Sequence, residues 1–141
     1  MAIAKWLVAF VAIYCYGGVL ADAVIPGTSR MHLWNPKWPP HAKFHNAQTM
    51  LIGVFTGTLS LILLFSVRPL TMPWFLTATA VASIYWLGLI FAPLFPGTAW
   101  LDPEFETQVV RPLGLNPQQF VSYVLCMILI VAAALALWPN S

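Results

Sequence analysis

Apolar and polar positions divide the chain into four long hydrophobic runs separated by charged or proline-rich punctuation. The first occupies about residues 5–25 and is apolar apart from Asp22 near its end. The second runs from Asn46 to Val67 and stops at Arg68-Pro69, a sequence that terminates helices. Pro73 suits the first turn of a third run, which reaches about Leu94, where Pro93 and Pro96 end it. Asn116-Pro117, a capping residue followed by a first-turn proline, opens the fourth, which ends near Trp138. A membrane-crossing helix needs about 20 mostly apolar residues. Each run therefore predicts one span, at about 5–25, 46–67, 73–94 and 117–138, and residues 1–141 predict a single domain. The expected fold is all-α, an integral membrane four-helix bundle with its two long loops on one side.

Composition fixes the solvent. The chain is 60% hydrophobic and 7% charged, against about 25% charged residues in soluble domains. That excludes a water-soluble globular domain and a disordered tail. Six Lys and Arg against four Asp and Glu leave a net charge of +2, too little for a surface that tracks phosphates, so no nucleic-acid partner is expected. Trp6, Trp34, Trp38, Trp74, Trp100 and Trp138 fall near span boundaries, as interfacial aromatics do. Cys15 and Cys126 lie in apolar runs without metal-ligand spacing and read as small buried hydrophobes. Lys5 ahead of the first run resembles a signal peptide, but Asp22, Pro26 and bulky neighbours replace a small-residue cleavage site, so a retained helix is expected. Arg30, Lys37, Lys43 and Arg111 on the loop side, against Lys5 and Arg68 opposite, predict cytoplasmic long loops.

The chemistry is one-sided. Eight of the ten charged residues and all three histidines lie in or beside the long loops, predicting that these fold together over one mouth of the bundle. If the second helix starts at Pro39 or Pro40, His41 and His45 stand one turn apart, a spacing that can share a metal or flank a ligand. His45, Asn46 and Gln48 lie near the hydrocarbon boundary and are expected to face the bundle interior. His32 is near in sequence and would join His41 and His45 as a metal ligand. Three roles stand open for the histidines: ordering a loop, ligating a haem or metal ion, and transferring protons. Asp22 needs a cation partner, Arg30 or Lys43, or a function. Asp102, Glu104 and Glu106 would pair with loop cations or complete a site, and Tyr85 and Tyr123 could polarise a substrate oxygen. Gly53 and Gly57 form a small-residue face for a close helix crossing, within the chain or between copies. No zincin motif, phosphate loop, nucleophile elbow or dinucleotide motif occurs.

The stretch Trp38 to His45, Trp-Pro-Pro-His-Ala-Lys-Phe-His, preceded by Asn35-Pro36, resembles a motif of small uncharacterised four-helix membrane proteins. In architecture the chain is also similar to styrene oxide isomerase, a family that binds haem through a histidine opening its second helix and isomerises a lipophilic epoxide. That likeness would make His45 a haem ligand; the family's His-Ser-Gly-Pro run and its catalytic asparagine have no counterpart here.

Two functions follow as expectations. One is a membrane enzyme, of isomerase or redox type, acting on a lipophilic molecule that arrives from the bilayer. His41 or His45 would hold haem or a metal, and Tyr85, Tyr123 or Asp22 would handle protons. The other is a non-catalytic subunit that packs against larger membrane partners or forms a homo-oligomer. A channel or transporter is disfavoured because no span carries a charge at its centre.

Overall fold

The computed structural model describes residues 1–138, and every regular element among them is helical. Four helices are long and apolar enough to cross a membrane: α1, Ala2–Val24; α2, Pro40–Ser66; α3, Met72–Leu94; and α4, Pro117–Leu137. Chain neighbours pack as spatial neighbours, and α1 closes the ring against α4. This is a four-helix bundle with the architecture of a multi-pass membrane protein.

Prolines set the starts. Pro40, Pro73 and Pro117 occupy first-turn positions of α2, α3 and α4, where a missing N–H costs nothing. The second helix begins at Pro40, one of the two proline starts weighed from the sequence, with Pro39 as its N-cap, so it extends ahead of the apolar run that opens at Asn46. Five residues, 67–71, join α2 to α3, short enough to make them antiparallel neighbours.

Lipid is as apolar as leucine, so close packing and hydrogen bonds hold such helices together more than exclusion of water does. The chain supplies both. Val8, Val11, Leu64 and Phe75 are fully buried, interleaved with Ala4, Ala12, Ala78 and Ala132. Ser60 donates its hydroxyl across the α2–α3 contact to the Ala78 carbonyl at 2.9 Å. Gly53 and Gly57 serve the crossing within the chain: a Cβ on either would lie 2.6 Å from the Cys15 carbonyl oxygen or 2.5 Å from that of Ala12. Outward positions such as Ile62, Met127 and Ile130 are large, apolar and exposed, as a lipid-facing surface requires.

The two long connections lie together at one end. The first carries a short helix, Pro26–Ser29, and the second has tight turns at Pro103–Phe105 and Pro112–Gly114. Lys37 and Glu104 form an ion pair between them.

Candidate functional site

The first helix does not end as a regular α-helix. After a turn at Cys15 and Tyr16, its last stretch, Leu20–Val24, is wound as a π-helix, with Ile25 N–H donating to the Leu20 carbonyl at 2.8 Å. Pro26 has no N–H and forces Ile25 into an extended conformation, so the final carbonyls lose their helical partners. The returning loop supplies replacements. Thr28 Oγ donates to the Ala21 carbonyl at 2.5 Å, Leu33 N–H to that of Asp22 at 3.3 Å, and Trp34 Nε1–H to that of Ala23 at 2.9 Å. Satisfying three orphan acceptors folds the loop back over the helix end and brings His32 to Asp22.

His32 Nδ1–H donates to the Thr28 carbonyl at 2.9 Å. A carbonyl only accepts, so the proton is on Nδ1, and in the neutral ring Nε2 keeps its lone pair. The same Nδ1 lies 3.4 Å from Asp22 Oδ1, and the Trp38 ring meets the imidazole edge-on. The other carboxylate oxygen, Oδ2, accepts from Asn46 Nδ2 at 2.8 Å, linking α1 to α2. Asp22 is thus held by a neutral amide and a histidine, not by Arg30 or Lys43. Among the described residues no Lys or Arg pairs with it.

Asp22 and His32 open onto a cavity of about 290 Å³ at the loop-side corner of the bundle. Helices α1, α3 and α4 wall it, and Thr28, Met31, Trp100, Leu101 and Val109 of the two loops cover it. The remaining wall is mostly apolar and aromatic, including Tyr14, Trp86, Leu89 and Val121. Tyr85 contributes a further polar group beside Asp22, His32, Thr28 and Gln118. Its ring is buried and its hydroxyl rests on Gly18, where a Cβ would lie 2.5 Å from the oxygen. Gly18, one turn before Asp22, is the residue that admits it. The Tyr85 hydroxyl makes no hydrogen bond among the described residues and is free for a ligand. Few convergent polar groups in an apolar hollow is the usual build of a small-molecule site.

The other expected site residues lie elsewhere. His41 and His45 share one face of α2 with their Nε2 atoms 3.1 Å apart, and His45 Nδ1–H donates to Gln48 Oε1 at 3.1 Å. That face is exposed, so only Asn46 of the expected inward set turns inward. The helix geometry explains this: Asn46 lies on the side of Gly53 and Gly57 that meets α1, while His41, His45 and Gln48 lie on the side away from it. The expected trio does not assemble, since His32 pairs with Asp22 and the described residues hold no group of three or more metal-ligating side chains. The His41–His45 pair alone offers two nitrogens to a metal or haem iron. Tyr123 is exposed on α4, accepts from Gln119 Nε2 at 3.2 Å, and does not line the cavity. Glu104 and Glu106 pair with Lys37 and Arg111.

Sequence reasoning did not find His32 as the partner of Asp22, nor Gly18, Trp86 and Trp100 as cavity residues. Pro26 four residues after Asp22 was the available signal, because it orphans the carbonyls that pull the loop back.

Comparison with known proteins adds a family. The model of a family of unknown function, DUF6640, matches residues 9–124, and the chain belongs to that family. No curated protein and no solved structure matches it.

Proposed function

We propose that this DUF6640 member is a small membrane enzyme that receives a lipophilic molecule from the bilayer into the loop-side cavity and moves a proton on it, as an isomerase does. The observation that carries the reading is the Asp22–His32 pair in the wall of a largely apolar cavity, with the unpartnered Tyr85 hydroxyl on the same wall. Each residue has a role that its contacts support. The Thr28 carbonyl holds the His32 proton on Nδ1, which leaves Nε2 to accept a proton from the substrate. Asp22 stabilises the imidazolium that forms, and Asn46 holds Asp22 in position. Tyr85 donates a hydrogen bond to a substrate oxygen or returns a proton. One proton leaves the substrate for His32 and one, exchangeable with solvent, is returned to it, so the step balances with the chain's own residues.

The test requires no knowledge of the substrate. Protein purified in native lipid discs is incubated in deuterated water, and its retained lipophiles are compared by mass spectrometry with those of empty discs. The wild type is expected to enrich a narrow set of lipophiles that acquire deuterium at carbon. Val121→Trp, which fills the cavity, is expected to lose the set, and His32→Gln to keep it unlabelled. An absence of enriched molecules, or labelling that survives His32→Gln, overturns the reading.

A further inference from the structure

The cavity wall holds a carboxylate that no Lys or Arg of the described residues matches. Among the described residues Asp22 is the only carboxylate on its wall, and no Lys or Arg lines it. A carboxylate offers about four acceptor positions. Here one oxygen takes a single amide hydrogen bond from Asn46, and the other has only the long 3.4 Å contact to His32, whose Nδ1–H is already given to Thr28. Elsewhere among the described residues each paired carboxylate has a Lys or Arg: Glu104 meets Lys37 and Glu106 meets Arg111. The exception is the carboxylate with a side chain only 14% exposed at the end of a membrane helix, where an unmatched charge is most costly.

The surrounding wall has the complementary character for a positive charge. Tyr14, Tyr85, Trp86 and Trp100 all line this one cavity. Aromatic faces attract ammonium groups, indole most strongly, and do so better where water is scarce. A carboxylate with spare acceptor positions, bordered by aromatic rings, is a receptor for a cation that also carries apolar bulk. Tyr85, with its hydroxyl free above Gly18, can in addition accept the N–H of such a group.

We propose that the polar end of the cavity's ligand is a protonated amine, seated between Asp22 and the aromatic wall, with its hydrocarbon part against Leu89 and Val121. This rests on the reading that the cavity takes a lipophilic molecule, and it narrows that molecule to lipophilic amines.

The experiment is saturable binding of two tritiated probes to the full chain in lipid discs, with empty discs as blank. The first is N-butyl-4-phenylpiperidine, cationic near neutral pH; the second is its uncharged carbon isostere, 1-butyl-4-phenylcyclohexane. The wild type is expected to bind the amine at least about tenfold more tightly than the isostere, the size of preference that cation–π contacts and a charge-assisted hydrogen bond supply. Asp22→Asn keeps the shape of the side chain and is expected to abolish that preference while leaving isostere binding unchanged. Equal affinities in the wild type, or a preference that persists in Asp22→Asn, overturn the amine assignment and leave the lipophile site standing. Failure of both probes to bind saturably removes both readings. The wild-type comparison decides the matter even if the variant does not fold.

Discussion

Two histidine clusters stand at the same end of this bundle, and they differ in almost everything except residue type. On the outer flank of α2, His41, His45 and Gln48 form a hydrogen-bonded row on an exposed helix face. At the corner of α1, α3 and α4, a single histidine meets one aspartate over an apolar cavity. The first cluster is dense in sequence and open in space. The second is assembled from residues ten positions apart, with a contribution from α2, and is partly buried. Electrostatic interactions strengthen as water is excluded. Burial rather than density is therefore the basis on which the proposed function rests on the second cluster.

That contrast can be broken at three strengths. The largest effect is expected from Gly57→Leu, which pushes a side chain against the Ala12 backbone where α1 and α2 touch. A cost of about 3 kcal/mol should appear as a lowered unfolding midpoint in mixed micelles, because backbone cannot move aside as a flexible side chain does. A smaller effect separates the two faces of α2. Asn46→Leu removes the best hydrogen bond to Asp22 and should cost about 2 kcal/mol, whereas Gln48→Leu on the outer face should stay within about 0.5 kcal/mol. Equal losses for the two would erase the distinction between the partly buried and the open cluster. The smallest effect is expected for His45→Ala, within about 0.5 kcal/mol by the same unfolding measurement, since its partners His41 and Gln48 remain exposed to alternatives. A loss of several times that size would show that the outer row is structural after all.

The fold was legible because its cause is coarse. Four apolar runs and their prolines are enough to place four helices, with α1 starting at Ala2 and α2 extending ahead of its apolar run to Pro40. The site was half legible. Asp22 and Tyr85 stood out as polar groups in or near apolar spans, and both line the cavity. The HxxxH spacing drew attention to His41 and His45, yet spacing says which residues share a helix face and not which way that face turns. That direction was set by Gly53 and Gly57, whose lack of side chains seats α2 on α1. His32 was hidden for a different reason: its position follows from loop groups answering orphaned backbone carbonyls, a bookkeeping of main-chain atoms that side-chain patterns do not display.

The π-wound end of α1 has a consequence for the placing of Asp22. A turn whose hydrogen bond spans five residues, as from Ile25 to Leu20, holds one residue more than the four-residue span of an α-helix. Deleting Ala21 would let the stretch relax to ordinary winding and change the bearing of Asp22 relative to the histidine that the loop delivers. In this chain the length of the stretch from Gly18 to Pro26 therefore matters to the position of Asp22 as much as its composition does.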